Sequence, residues 1–254
     1  MDFQYVSDLH LEFYEDELNL TDIIIPVAKN LLLLGDIGYY IDNNYQSLIR
    51  QASQAFEKVF VILGNHEYYC IKGNINNLDN YVDIINQYNN VYFMNDSYLE
   101  FDDFIILGTT LWSCIPKDKR FLIEEKLGDM SHIVDWNVNK LNITHHNSVI
   151  WLKNTLNSLN FNNKPIIVCS HHIPSYNCIS KKYLDHPMNC GYASKLDYIM
   201  KKYPIKYWFC GHSHYSIDKT IFNTRVLSNP RGYPENNNVN YENDKYSKTA
   251  AINM

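Results

Sequence analysis

Short, uninterrupted apolar runs punctuate this chain at intervals, and each is followed by a tight turn carrying a polar residue. Leu31–Leu32–Leu33–Leu34 has no alternation, which is the signature of a strand buried on both faces in a parallel sheet. Val59 to Leu63, Ile166 to Cys169 and Ile205 to Cys210 follow the same pattern, and Phe3 to Val6 is a shorter one. Between the second and third runs, Tyr45 to Lys58 places Leu48, Ile49, Ala52, Ala55 and Phe56 at helical spacing. Strand, amphipathic helix and strand in this order form a parallel unit with a right-handed crossover.

Further helices are predicted over 74–90, with Leu78, Tyr81, Val82, Ile84, Ile85 and Tyr88 on the apolar face, over 145–159, with Val149, Ile150, Leu152, Leu156 and Leu159 inward, and over 192–202. From 91 to 109 the period changes. Three short strands joined by Asn-Asp and Asp-Asp turns read as a meander lying beside the parallel strands as a second group. Ile217–Ile221 and Arg225–Leu227 read as a closing hairpin. Thr110–Asn142, anchored by Trp112 and Trp136, and Pro174–Gly191 are irregular and are expected to be rim loops. One domain is expected over 1–234, with 235–254 as a polar, partly disordered tail.

With 254 residues, the chain can bury one substantial α/β core. A net charge of −6 and a pI near 5.9 argue against a dedicated duplex-binding protein. No stretch approaches the ~20 apolar residues of a membrane span, and Met1–Asp2–Phe3–Gln4 runs straight into a strand without the blocks of a signal peptide. Six cysteines without a Cys-x-x-Cys pair do not make a disulfide framework. Cys169 and Cys210 end apolar runs as buried thiols, and Cys178 and Cys190 would bridge only in an oxidising compartment. The expected setting is reduced and cytoplasmic.

The turns carry the chemistry. Asp8 and His10 follow the first run, Asp36 follows Gly35, and Asn65–His66–Glu67 follows Gly64. His171 and His172 follow Ser170, and His212 and His214 follow Gly211. In open α/β sheets ligands bind at the carboxyl ends of the strands, where all of these residues fall. Any one alone reads equally well as a turn residue or a hydrogen-bonded structural His. Adjacent residues on an extended chain face opposite ways, so only one of His171 and His172 is expected to point into a site. With Asn65 as a ligand, His66 is left free to act on a substrate; setting it and Glu67 aside and counting one of the His171–His172 pair, there are seven donors, three oxygen and four imidazole. That is too many for one tetrahedral ion and suits two adjacent ones, with Asp36 placed to bridge them.

This ordered set resembles the calcineurin-like metallophosphoesterase superfamily: Asp8-Leu9-His10, Gly35-Asp36, Gly64-Asn65-His66-Glu67, a later His171, then Gly211-His212-Ser213-His214. The resemblance spans about residues 3 to 230. It implies an α/β fold built as a four-layer α/β/β/α sandwich, two mixed β-sheets flanked by helices. It also implies two divalent metal ions (Mn, Fe, Zn or Mg), one held by Asp8, His10, Asp36 and His214 and the other by Asp36, Asn65, His171 and His212. His171 is preferred over His172 on the family's His-His-x-Pro pattern.

The implied reaction is hydrolysis of a phosphomonoester or phosphodiester of a small molecule or nucleotide by a bridging hydroxide. His66 would be the catalytic acid, beside Asp36 and Asn65. The phosphatase branch continues its Gly-Asp motif with Asp-Arg-Gly, whereas Asp36 is followed here by Ile37–Gly38–Tyr39–Tyr40. Arg231 and His172 are therefore the candidate substrate contacts. The expected partner is a small phosphorylated substrate. A nuclease of the same superfamily and a catalytically silent scaffold are the alternatives.

Overall fold

The computed structural model describes residues 2–71, 78–159, 164–235, 240–243 and 245–253. In chain order the strands are β1 (Asp2–Val6), β2 (Asn30–Leu34), β3 (Lys58–Ile62), β4 (Val91–Met94), β5 (Ser97–Glu100), β6 (Ile105–Thr109) and β7 (Ile166–Ser170). They continue with β8 (Ile205–Phe209), β9 (Ile217–Ile221), β10 (Thr224–Ser228), β11 (Pro234–Glu235), β12 (Asn240–Tyr241) and β13 (Ala251–Asn253). One sheet has the order β13-β1-β2-β3-β4, and a second the order β5-β6-β7-β8-β10-β9. In each the central pairings are parallel and the edges antiparallel, except that β4 closes the first sheet as a parallel edge.

The buried runs separate by side-chain parity. Leu32 and Leu34 of β2 pack with Phe3, Phe60, Phe104, Ile106, Ile167 and Phe209 between the two sheets. Leu31 and Leu33 face the other way, onto a core with Leu48, Ile49 and Ala52 of the helix Asn43–Ala55 and Tyr81 and Ile85 of the helix Asp79–Ile85. On the far side of the second sheet, Ile105, Leu107, Val168 and Trp208 pack against Leu152 and Leu156 of the helix Val138–Ser158 and Ile199 and Met200 of the helix Asp197–Lys202. The four-layer α/β/β/α sandwich is thus the arrangement in which runs without alternation bury both faces.

Several expectations change, among them the helix expected over 192–202, which begins only at Asp197. The 91–109 segment is not one meander: β4 pairs in parallel with β3 in the first sheet, and the β5–β6 hairpin belongs to the second. Strand propensity is local, but the choice of partner is made by packing. Met94 lies against Gly108, where a Cβ would sit 2.3 Å from the Met94 Cβ. The helix expected from 145 begins seven residues earlier, at Val138, because the Asn137 side chain caps it by accepting from the Lys140 N–H at 3.0 Å. Ile150 on that helix is 43% exposed and faces outward. The chain after 234 is not merely a tail, since β13 pairs antiparallel with β1 and extends the first sheet. Residues 74–77 of the helix expected over 74–90 lie outside the described residues.

All six cysteines are free, Cys178 and Cys190 included. Among the described residues no helix is long and apolar enough to cross a membrane.

Phe104 is 1% exposed and meets the Phe3 ring edge-on at 5.1 Å between the sheets. Phe104→Ala is expected to cost about 3–5 kcal/mol in urea unfolding, with an unchanged m-value. A loss under about 1 kcal/mol would mean that this ring does not join the two layers.

Candidate metal centre

The motif loops leave the carboxyl ends of β1, β2, β3, β7 and β8, and backbone hydrogen bonds stitch them together across both sheets. Asp8 N–H donates to Gly35 O at 2.9 Å, His10 N–H to Asp36 O at 3.0 Å, and Gly211 N–H to His171 O at 2.9 Å. Turning each loop at once requires unusual backbone. Asp8, His10, Asp36, His212 and His214 all have positive φ, between 48° and 66°, a region that non-glycine residues enter rarely and at a cost. Gly35 and Gly64 are needed for a different reason. A Cβ on Gly35 would lie 2.4 Å from Gly64 N, and one on Gly64 would lie 2.1 Å from Asp36 Oδ1. Glu67 accepts from the N–H groups of Asp36, Ile37 and Gly64 at 2.7–3.0 Å and so clamps the two glycine turns.

Six of the seven expected ligands fall into two clusters, Asp8–His10–His214 and Asp36–His171–His212. In the first, His10 Nε2 and His214 Nε2 are 3.0 Å apart, with Asp8 Oδ1 3.4 Å from His214 Nε2. In the second, His171 Nε2 lies 3.3 Å from Asp36 Oδ2 and 3.2 Å from His212 Nδ1. Asn65, the seventh, joins it with Oδ1 3.1 Å from the same His171 nitrogen. The clusters interlock, because both Asp8 oxygens accept from His212 N–H at 3.0 and 3.1 Å, while the carbonyl of Asp36 holds His10.

The donor chemistry fits a cation in each cluster. His10 and His214 direct Nδ1 outward to the carboxylates of Glu12 and Glu242, and His171 directs Nδ1 to Leu34 O at 2.8 Å. With an Nδ1–H engaged on each of those acceptors, the inner nitrogens of the neutral rings would present lone pairs to one another and to carboxylate oxygens, an arrangement able to hold a cation. Asn65 is oriented in the same way. Its Nδ2 donates to Tyr69 Oη and Asp129 Oδ1, both at 2.9 Å, which leaves Oδ1 facing inward.

The carboxylates call for positive charge here, which protons on the rings can also supply. Burial opposes charge on both His171 and His214, yet Asp36 raises His171 to about 9, and Asp8 and Glu242 raise His214 to about 10. His212 is held well below its ordinary value by burial and by neighbouring His171, and so remains a neutral, ligating imidazole. Asp36 is held well below the usual carboxylate range by the surrounding imidazoles despite its burial.

His66 stands apart from these donors and faces the same space. Its backbone N–H donates to Asp36 Oδ1 at 2.8 Å, its Nδ1 meets Glu12 Oε1 at 2.7 Å, and its Nε2 is 3.2 Å from Tyr233 Oη. Burial opposes its charge, but Asp36 and the Glu12 hydrogen bond raise it to about 9. Asp36, Asn65, His66, His212 and His214 form one wall of a cavity of about 380 Å³. The 110–142 stretch contributes Leu127 and Asp129 to the same lining, and the 174–191 stretch contributes Ile179, Tyr183 and Asn189.

Two sequence candidates lie elsewhere. His172 is fully buried, its ring 4.1 Å behind His212 and 5.3 Å from Trp112, and it does not line the cavity. Alternation along the extended chain sends it away from the side that His171 faces. Arg231 is 2% exposed, with its guanidinium 5.1 Å from the Tyr14 ring centroid and its backbone N–H donating to Ser7 O at 3.0 Å. The Ser7–Pro230 bridge directs this turn into the fold, so Arg231 also fails to reach the cavity lining.

Sequence reasoning passed over Glu12, Glu67, Asp129, Tyr233 and Glu242. The role of Glu67 was recoverable, because it is the third helical residue after Gly64, where a Glu side chain reaches back to accept from the N-cap N–H. Glu242 and Asp129 have no local signature, and only the fold brings them to His214 and Asn65.

The chain has recognisable relatives. It is 30% identical over 263 residues to an uncharacterized protein of Acanthamoeba polyphaga mimivirus, an alignment that covers 93% of both chains. Among solved structures it is similar to a phosphopantetheinyl hydrolase from Mycobacterium tuberculosis, with a TM-score of 0.71 at 16% identity over 91% of this chain and 89% of that one. It is also similar to a protein described as a 5′-nucleotidase from Staphylococcus aureus, with a TM-score of 0.52 at 16% identity over 89% of this chain and 48% of that one. At such identities these two likenesses speak for the fold. The family model for calcineurin-like phosphoesterases matches residues 1–216, and the chain belongs to that family.

Proposed function

We propose that this protein is a metal-dependent hydrolase of phosphoester bonds in a small phosphorylated molecule. The observation that carries the reading is the gathering of seven donor side chains, four of which (Asp36, Asn65, His212 and His214) line one cavity together with His66. Asp8, His10 and His214 would hold one divalent ion, and Asn65, His171 and His212 the other, with Asp36 between them. Mn, Fe, Zn and Mg all suit this mixed nitrogen and oxygen set. Bound there, such ions lower the pKa of water and neutralise phosphoryl oxygens.

The protein's own groups supply the remaining functions. His66, kept protonated by Asp36 and Glu12, donates from Nε2 to the leaving oxygen. Asn65, pinned by Asp129 and Tyr69, keeps its carbonyl oxygen turned inward. No Lys or Arg lines the cavity among the described residues. That favours a substrate with one phosphoryl group over a polyphosphate or a nucleic-acid duplex, both of which need further cations. A catalytically silent scaffold would have no use for five left-handed residues and a buried set of facing lone pairs.

Metal removal should separate these readings. Dialysis against EDTA is expected to abolish hydrolysis of aryl phosphoesters, and added Mn²⁺ to restore it; equal turnover with and without metal would end the proposal. His66→Asn should keep the wild-type metal content and lose about 10²–10⁴-fold in kcat on esters with a poor leaving group. An intact kcat would remove His66 from the mechanism. Asp129→Ala frees the Asn65 amide and is expected to weaken metal binding by about 10–100-fold. Unchanged affinity in a metal titration would show that Asn65 needs no such support.

A further inference from the structure

Glu12 serves two imidazoles with one oxygen. Its Oε1 accepts from His10 Nδ1 at 3.1 Å and from His66 Nδ1 at 2.7 Å, the two rings lying 4.5 Å apart at a steep angle. The Glu12 side chain is 3% exposed, and its Oε2 has no hydrogen-bond partner among the described residues. A buried carboxylate is costly to maintain unless its partners repay the desolvation, and here its hydrogen bonds go to one ring of the first metal cluster and to the ring facing the cavity. Gly38 makes room for it, since a Cβ there would lie 3.0 Å from the Leu11 Cβ and 3.3 Å from Glu12 Oε2. The loop after Asp36, Ile37–Gly38–Tyr39–Tyr40, offers no carboxylate of its own at this point.

We propose that Glu12 is a positioning residue shared by the metal centre and the proton donor. By holding a proton on Nδ1 of both rings, it turns His10 Nε2 toward the ion and His66 Nε2 toward the leaving oxygen. This rests on the hydrolase reading above. A neutral imidazole carries its proton on either nitrogen, and the hydrogen bond made by one decides the role of the other. With Nδ1–H fixed on Glu12, the labile proton of cationic His66 is the one on Nε2. As a water-derived oxygen bonds to phosphorus and the ester P–O bond breaks, the electron pair of that bond stays on the leaving oxygen, which takes the Nε2 proton. His66 is then neutral and still bound to Glu12, so the ring is not released between turnovers. One carboxylate thereby ties metal occupancy to readiness of the acid, through a residue two positions after the first motif.

The test compares wild type, Glu12→Gln, His66→Asn and the double variant at saturating Mn²⁺, after metal content per chain has been measured. Glu12→Gln is expected to lose about 10–100-fold in kcat on an alkyl phosphoester, whose leaving group needs a proton. On a p-nitrophenyl ester, whose leaving group does not, it should lose less than about threefold. The double variant should lose no more than His66→Asn alone on the alkyl ester. Independently of activity, proton–nitrogen spectra of the imidazoles in metal-free protein should contain a downfield Nδ1–H resonance, identified as His66 by its loss in His66→Asn. Glu12→Gln should move it upfield. Equal losses on both esters, additive losses in the double variant, or an unmoved His66 resonance would each overturn the assignment. If wild type hydrolyses neither ester with metal, the hydrolase reading fails, and the imidazole spectrum still decides whether Glu12 sets the tautomers.

Discussion

Everything at the working end of this molecule depends on lone pairs made to face one another. His10 and His214 oppose each other at 3.0 Å beside Asp8, and His171 opposes His212, Asn65 and Asp36 at 3.1–3.3 Å. Such a cluster is unstable as bare chemistry, because neighbouring acceptors repel unless a cation lies between them. The fold maintains it by occupying the outer nitrogens of His10, His214 and His171, with Glu12, Glu242 and Leu34 O receiving the Nδ1–H groups. The orientation of those three inner nitrogens is thus set by outer partners.

The scaffold makes this possible by placing the carboxyl edges of two sheets side by side. His171 arrives from the second sheet and donates to Leu34 O of the first, and Gly211 N–H binds His171 O within the second. The aromatic and aliphatic layer between the sheets, Phe3, Phe60, Phe104 and Phe209 among them, keeps that junction rigid. Positive φ at five motif residues is the local strain it sustains, as is common where a site must aim side chains from short turns. Close-packed glycines at 35 and 64 let the two β-strand ends approach within a distance that any side chain would prevent.

The cavity adds a second constraint. Part of its lining is built from motif loops, and part comes from the irregular stretches around Leu127–Asp129 and Ile179–Asn189. Asp129 belongs to both worlds, lining the cavity and accepting from Asn65 and Tyr69. Changes in this rim therefore bear on the orientation of the Asn65 carbonyl oxygen as well as on the space in the cavity.

By itself the sequence determined the buried strands, the parallel crossover unit and the residues of the seven-donor set. Apolar runs without alternation and glycine turns are local signals, and they hold because both faces of each strand are covered. Tertiary structure alone decided that β4 and the β5–β6 hairpin part company between sheets, that β13 returns to pair with β1, and that His172 and Arg231 turn inward. It also decided that Glu12, Asp129 and Glu242 stand behind the ligands, positions no spacing rule could reach. The physical reason is the same in each case: propensity and turn chemistry act over a few residues, whereas sheet partner, side-chain direction and hydrogen-bond acceptor are settled by contacts between segments far apart along the chain.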